Sequence, residues 1–161
     1  MSSDSSFGST EEGSQYTPAS AGDIKKGHYL LMKGDFEYPC KVVSVSHCKT
    51  GKHGSAKCSI TGIDVFTGKK HEDSLPSSAN VKCPVVTKTE YELINILEDN
   101  FLSLMDEESG KVREDIQLSE LPYWEETTSK IVEDFEAGNE IMVTVLKAMG
   151  EEVVISHRKT S

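Results

Sequence analysis

Short apolar runs, separated by glycine and proline, constrain what this chain can fold into. The first half contains such runs at Tyr29–Met32, Lys41–Val45, Lys57–Ile63 and Val81–Val86. The second half contains them at Tyr91–Leu97, Phe101–Met105, Val112–Leu118, Ile141–Leu146 and Val153–Ser156. Runs of this length that are rich in β-branched residues are typical of strands, and many short strands with glycine turns favour small barrels. We therefore predict a mainly β protein.

One segment of the second half has helical periodicity instead. Its repeating side chains fall on one face, at Trp124, Thr128, Ile131, Val132 and Phe135. This spacing predicts one amphipathic helix between the third and fourth strands of the second half. Gly138 is placed to end that helix, because glycine readily adopts the left-handed conformation that follows a helix C-terminus. Asn100 and the Glu108–Gly110 segment are predicted hairpin turns.

The distribution of charge divides the chain into two modules. The net charge is −10, yet Asp23–Cys83 carries ten lysines against six acidic residues, whereas Pro84–Ser161 carries seven basic residues against eighteen acidic ones. Modules of opposite charge are expected to have different partners, and the basic one could face RNA phosphates. We predict a disordered tail over residues 1–20, a small barrel over residues 21–83 and a five-stranded barrel of the OB type over residues 84–161.

The N-terminal residues show no targeting signal. Residues 1–20 are rich in serine, glycine and glutamate and have neither a basic start nor an apolar core. No apolar run approaches the roughly 20 residues that a membrane-spanning helix needs. We therefore expect a cytoplasmic protein without a membrane partner.

The cysteines are expected to be free thiols, because a chain without a secretory signal keeps its cysteines reduced. They are Cys40, Cys48, Cys58 and Cys83. A zinc site is one interpretation of residues 47–58, since two histidines and two cysteines lie there. No CxxC or HxxxH pair is present, however, and such short spacings anchor structural zinc. We expect no metal ligands.

A glycine-bounded turn lies between two predicted strands, within Cys48–Lys57. Gly51 and Gly54 permit positive φ on either side of Lys52 and therefore predict an exposed lysine at a hairpin tip. A phosphate-binding loop would need GxxxxGK followed by serine or threonine, which the glycine spacing here does not provide. The residues taken alone slightly favour an ordinary basic hairpin that stays solvated. The sequence shows no nucleophile–base pair and no paired carboxylates at a spacing typical of an enzyme active site.

An ordered set of motifs resembles the translation initiation factor 5A family. Thr50–Gly54 reads TGKHG and is followed by Ala56-Lys57, which is similar to the hypusine loop of that family. Gly62–Asp73 is similar to the family sequence GIDIFTGKKYED. Three later segments resemble the family's YLSLL, GEVRED and ILITVLSAM sequences: Phe101–Met105, Gly110–Asp115 and Ile141–Met149. The resemblance extends in order from about residue 23 to about residue 156.

The resemblance implies an SH3-like barrel that carries the loop, followed by an OB-fold. It also implies that deoxyhypusine synthase transfers the 4-aminobutyl group of spermidine to Lys52 and that deoxyhypusine hydroxylase then completes hypusine. The chain is then a substrate of enzymes and not itself an enzyme, and it needs no separate cofactor. The surrounding residues implied to form the hypusine loop and its tRNA contact are Lys49, Thr50, Gly51, His53, Gly54, Ser55 and Lys57.

The implied function is to bind the ribosome beside peptidyl-tRNA and to promote peptide-bond formation at stalling sequences such as polyproline. Hypusine is longer than lysine and has a second amine, so it can reach between RNA phosphates that a lysine side chain does not reach. The alternative is a general RNA-binding or adaptor protein that uses the basic barrel without hypusine. Ser55 and His71 depart from the histidine and tyrosine that the family commonly has at these positions.

Overall fold

The computed structural model describes residues 15–33, 37–49 and 56–160. These divide into two units, one ending at Val86 and the other beginning at Thr87. The prediction of a division between residues 83 and 84 stays a prediction. Within the described ranges, no helix is both long and apolar enough to span a bilayer.

The first unit is an SH3-like barrel built from antiparallel strands. The strands are β1 Tyr16–Ser20, β2 Tyr29–Lys33, β3 Glu37–Lys49, β4 Ala56–Asp64, β5 Lys70–Pro76 and β6 Asn80–Pro84. Strands β2, β3, β4 and β5 form a four-stranded sheet in that order, and β1 pairs with β6. The longest strand, β3, pairs with β4 from Cys40–Asp64 to Lys49–Ala56, with a bulge at Val43.

Small and branched apolar side chains fill this barrel. Its buried core comprises Ala21, Ile24, Leu30, Met32, Cys40, Val42, Cys58 and Ile60. Gly62 on β4 is required by this packing, because a Cβ there would lie 2.6 Å from the sulfur of Met32 and 2.9 Å from Cβ of Cys40. The inward side chains alternate along β4, as expected for a strand with one face on the core.

The prediction of a disordered tail through residue 20 is wrong for its last five residues. Tyr16–Ser20 forms β1, which pairs with β6 from Tyr16–Pro84 to Ser20–Asn80. The Ser-rich composition concealed this strand, because pairing with β6 rather than its own apolar content holds it in place. Residues 1–14 lie outside the described ranges.

The second unit is an OB-fold with one α-helix among the described residues. Its elements are β7 Thr87–Ile96, β8 Phe101–Met105, β9 Val112–Gln117, α1 Glu125–Glu136, β10 Ile141–Ala148 and β11 Glu151–Lys159. The sheet order is β11-β10-β7-β8-β9. Strands β9 and β11, the two ends of that order, contact each other. The two ends of the sheet therefore approach each other, as in the partly open barrel of an OB-fold.

Helix α1 follows the predicted pattern. Ile131 is fully buried in the core of this unit, and Val132 and Phe135 pack against the same core. Trp124, just before the helix, is also buried. Gly138 has a φ of +88° after the helix, which confirms it as the stop signal. The predicted turns are confirmed as well, with positive φ at Asn100 and at Gly110.

Candidate functional site

The candidate site lies at the open end of the β3–β4 hairpin. Strand β3 ends at Lys49 and β4 begins at Ala56, and these two residues are paired. The predicted site residues Thr50, Gly51, Lys52, His53, Gly54 and Ser55 connect them and lie outside the described residues. Of the predicted loop residues, Lys57 is described in full. It is exposed, opposite Cys48 on β3.

Three polar side chains meet at the base of this hairpin, and we call them the base cluster: His47, Cys58 and Ser77. His47 and Cys58 are directly paired across β3 and β4, with Nδ1 3.5 Å from Sγ. The hydroxyl of Ser77, which follows β5, lies 3.4 Å from the same sulfur. Cys58 is fully buried, whereas His47 is exposed. The cluster thus links both strands of the hairpin to a third segment.

Sequence reasoning missed the base cluster. In the sequence, the spacing of His47 and Cys58 suggests only candidate zinc ligands. In residues 15–33, 37–49 and 56–160, no three histidine, cysteine or acidic side chains are grouped so as to hold a metal ion. The signal that could have found the contact is the strand register, which places residues 47 and 58 opposite each other.

A shallow basic groove lies beside the hairpin. Its volume is about 420 Å³, and it is lined by Ile24, Lys25, Lys26, Val43, Ser44, Val45 and His47. The turn that presents its lysines is fixed by Gly27, whose φ is +97°, and by the Lys25 N–H, which donates to Nδ1 of His28 at 3.1 Å. With no carboxylate in the lining, the groove is suited to an anion.

The GIDVFTGKK motif forms a structural turn after β4. The buried carboxylate of Asp64 accepts hydrogen bonds from the backbone N–H groups of Phe66 and Thr67, at 2.8 and 3.2 Å. The N–H of Gly68, with a φ of +78°, donates to the Asp64 carbonyl at 2.9 Å. The motif therefore shapes the β4–β5 connection and leaves Lys69 exposed there.

The cysteines are free, as predicted, but their environments differ. Cys40 and Cys58 are buried, Cys83 is half-buried and Cys48 is exposed. Burial, followed by the nearby carboxylate of Asp64, raises the pKa of the Cys40 thiol to about 12. The Cys40 thiol therefore stays protonated at neutral pH and acts as a small apolar side chain.

Comparison with known proteins gives consistent matches over both units. Residues 14–79 match the family model described as "Translation initiation factor 5A-like, N-terminal", and residues 85–158 match "Eukaryotic elongation factor 5A hypusine, DNA-binding OB fold". The chain is 47% identical to eukaryotic translation initiation factor 5A-3 of Solanum tuberosum, over 85% of this chain and 81% of the relative. It is 46% identical to eukaryotic translation initiation factor 5A-3 of Arabidopsis thaliana, over 91% and 89%.

Solved structures agree with these matches. A translation initiation factor eif-5a family protein from Naegleria fowleri has a TM-score of 0.80 and 42% identity, with 90% of this chain and 99% of that chain covered. Eukaryotic translation initiation factor 5A from Methanococcus jannaschii has a TM-score of 0.68 and 25% identity, with 89% and 96% covered. Sequence and fold therefore agree over nearly the whole described chain, and the chain belongs to the translation initiation factor 5A family of translation factors.

Proposed function

We propose that this chain binds the ribosome beside peptidyl-tRNA and that Lys52, once converted to hypusine, promotes peptide-bond formation at stalling sequences such as polyproline. The observation that carries the proposal is the pairing of Lys49 with Ala56, which brackets the TGKHG sequence between two long antiparallel strands. A lysine carried on such a connection can be presented away from the barrel surface. Membership of the family supports a role in translation. The geometry of the β3–β4 hairpin is consistent with that role.

In this proposal the modified side chain acts by reach and positioning, while the ribosome performs the chemistry. Hypusine extends the lysine arm and carries two amines, so it can contact the phosphates of the tRNA acceptor end. Positioning alone can have large effects, because a misplacement of about 1 Å can cost about 100-fold in rate. The chain itself is a substrate of deoxyhypusine synthase and deoxyhypusine hydroxylase and needs no cofactor of its own.

The basic groove supports an RNA contact beside strand β3. Lys25 and Lys26 are exposed and have no ion-pair partner among the described residues. Lysines that are not neutralised by the protein can release counterions from RNA phosphates. The N-terminal unit would therefore supply most of the RNA contact, and the acidic C-terminal unit little of it.

The first experiment tests the modification site. The protein is incubated with deoxyhypusine synthase, spermidine and NAD, and the label is mapped by peptide mass spectrometry. We expect label at Lys52 and none in Lys52→Arg, because arginine keeps the charge but offers no primary amine to alkylate. Lys49→Arg and Lys57→Arg are the matched controls and should be labelled normally. Label at residue 49 or 57 would contradict the assignment.

The second experiment tests the function in a reconstituted translation system with a polyproline message. The modified protein should relieve the stall, and Lys52→Arg should not, while its ribosome binding should fall much less. Full relief by Lys52→Arg would refute the role of hypusine. It would favour the alternative of a general RNA-binding adaptor, for which protein from the native source would show the unmodified mass.

A further inference from the structure

We infer that the base cluster of His47, Cys58 and Ser77 consists of positioning residues that set how the β3–β4 hairpin presents Lys52 to its modifying enzyme. The inference rests on the proposed function, since it names further residues that act on the same lysine. None of the three would contact the transferred group. Each acts through the two strands from which the loop emerges.

The base cluster lies close enough to the ends of the loop to influence how the hairpin is oriented. Cys58 is two residues from Ala56 and His47 is two residues from Lys49, so the cluster lies about 7 Å along the strands from the ends of the connecting segment. Backbone hydrogen bonds this close to the loop pair β4 with β3, and the bond from the Ser77 N–H to the Ala56 carbonyl ties β4 to the segment that follows β5. The side-chain contacts of the base cluster add His47 of β3 to that link, so both strands of the hairpin are held to the third segment and the tilt of the hairpin relative to the barrel is limited.

Ser77 supplies that link, because it is held on two sides. Its N–H donates to the carbonyl of Ala56, the first residue of β4, at 2.9 Å. Its own carbonyl accepts from the N–H of Gly22 at 2.9 Å, next to the fully buried Ala21. A Cβ at Gly22 would lie 3.2 Å from both Cβ and the carbonyl oxygen of Ser77, so glycine permits the close approach. The hairpin base is thereby joined to the barrel core.

The Cys58 thiol can be satisfied by its two neighbours in either tautomer of His47. With Nδ1 of His47 as acceptor, the Cys58 thiol donates to it and the Ser77 hydroxyl donates to the sulfur. With Nδ1 protonated, the imidazole donates to the sulfur and the thiol donates to the hydroxyl. Either arrangement gives the buried thiol both a donor and an acceptor partner. Replacing Cys58 by an apolar residue of similar size removes both contacts while keeping the core filled.

The test is steady-state modification of Lys52 by deoxyhypusine synthase with spermidine and NAD. For Cys58→Val and Ser77→Ala we expect the KM for the protein substrate to rise about fivefold, the change that one lost hydrogen bond gives, with kcat nearly unchanged. The KM should change because the enzyme must then orient a hairpin that is no longer held in place. Cys58→Ser should restore the KM, because serine also donates and accepts.

Cys40→Val is the matched control. Cys40 is as deeply buried in the same core as Cys58, but no hydrogen bond joins its thiol to another described residue. Both valine variants should change the melting temperature to a similar extent, and only Cys58→Val should raise the KM. An equal rise in KM for Cys40→Val, or no rise for Cys58→Val, would overturn the inference.

A second readout separates this inference from the proposed function. Amide hydrogen exchange at Cys48, Ala56 and Lys57 should be faster in Cys58→Val than in Cys40→Val, because the hairpin base opens locally. If the wild-type protein is not labelled at Lys52, the proposed function fails, and the exchange comparison still decides whether the cluster holds the hairpin. Equal exchange in the two variants would overturn the inference.

Discussion

Arg113 on β9 and Glu152 on β11 form a two-point ion pair that joins the two ends of the C-terminal sheet. Nη2 of Arg113 donates to Oε1 of Glu152 at 2.8 Å, and Nη1 donates to Oε2 at 3.0 Å. The same guanidinium donates to Asp115 at 2.7 and 2.8 Å and to the hydroxyl of Tyr91 at 3.1 Å. Side-chain exposures of 27% and 21% make this pair better shielded from water than an ordinary surface pair. We therefore expect it to help close the barrel.

Removing this pair should destabilise the C-terminal unit. Glu152→Gln should lower its free energy of unfolding by about 1–2 kcal/mol, because a charge-assisted two-point contact is replaced by a weaker neutral one. Trp124 is the single tryptophan and lies in this unit, so its fluorescence during urea unfolding reports the change. Glu151→Gln, at an exposed neighbour, is the control and should have almost no effect. Equal loss in both variants would contradict the proposed closure.

A pH-dependent contact holds helix α1 to β11. Nε2 of His157 donates to Oδ2 of Asp134 at 2.8 Å, and this hydrogen bond, with nearby Lys159, lowers the pKa of the Asp134 carboxyl. A lowered pKa in the folded state means that the contribution to stability is complete above the ordinary value near 3.8 and is lost as the pH falls through the lowered pKa. Asp134→Asn should therefore be less stable than wild type at neutral pH, and the two should converge in acid.

The measurement is urea unfolding of both proteins from about pH 2.5 to pH 7, followed by Trp124 fluorescence. Glu133→Gln removes a neighbouring exposed carboxylate without touching His157, and its stability should fall in acid by as much as that of the wild type. A difference between Asp134→Asn and wild type that persists unchanged at the lowest pH would show that the carboxylate charge is not responsible.

The ring of His71 contains a buried nitrogen without a partner in the part of the chain that the structure describes. Its Nε2 makes no hydrogen bond to any described residue, while the ring stacks on Tyr38 with centroids 5.0 Å apart. His71→Phe keeps the stacked ring and removes the unsatisfied nitrogen, so it should raise the stability of the N-terminal unit by about 1 kcal/mol. The change in stability is measured by native-state hydrogen exchange of the β4 and β5 amides. His71→Ala should instead lower stability, and a less stable His71→Phe would indicate that Nε2 is satisfied in solution.

Gly62 is required by the core and not by its backbone conformation. A Cβ would come within 2.6 Å of the Met32 sulfur and 2.9 Å of Cβ of Cys40, and the second contact cannot be relieved by a side-chain rotation. Gly62→Ala should therefore destabilise the N-terminal unit by about 1–3 kcal/mol, as overpacking does. Ser59→Ala, at an exposed position of the same strand, should be nearly neutral in the same hydrogen-exchange measurement. If Gly62→Ala is as neutral as Ser59→Ala, the core adjusts to the added Cβ without loss of stability, and the expectation is wrong.

Strands with their own apolar pattern were predictable, and strands held by their neighbours were not. Phe101–Met105 has strong apolar content and coincides with β8. Strand β5, with the sequence KHEDSLP, buries none of its residues fully, and it exists because β4 pairs with it along its whole length. Strand β1 depends on β6 in the same way. Such strands need long-range pairing information that local composition does not contain.

The candidate site shows the same difference between local and long-range sequence information. Lys52 could be assigned from a local motif, because a glycine-bounded turn and the TGKHG sequence occupy adjacent positions. The base cluster could not, since Ser77 lies 19 residues from Cys58 and reaches it only through the fold of β5. Local sequence thus indicates which residue carries the chemistry, and the register of the sheet indicates which residues hold it in place.

The basic groove gives a prediction for RNA binding. Lys25 and Lys26 line it beside His47, and their side chains are exposed. If each makes one phosphate contact, Lys25→Ala with Lys26→Ala should weaken binding of a single-stranded RNA or a tRNA and should reduce the slope of log K against log salt by about 0.7 per lysine. The measurement is fluorescence anisotropy at several salt concentrations. The melting temperature should be unchanged, since no ion pair of the described residues is lost.

The matched control for this prediction is Lys69→Ala with Lys70→Ala. These two exposed lysines lie at the β4–β5 connection, outside the groove lining, and their removal changes the net charge of the unit by the same amount. A general attraction between RNA and a basic unit would give both double variants the same slope. A contact in the groove requires a smaller slope for the Lys25 and Lys26 variant alone, because only lysines that displace counterions at the interface contribute to it.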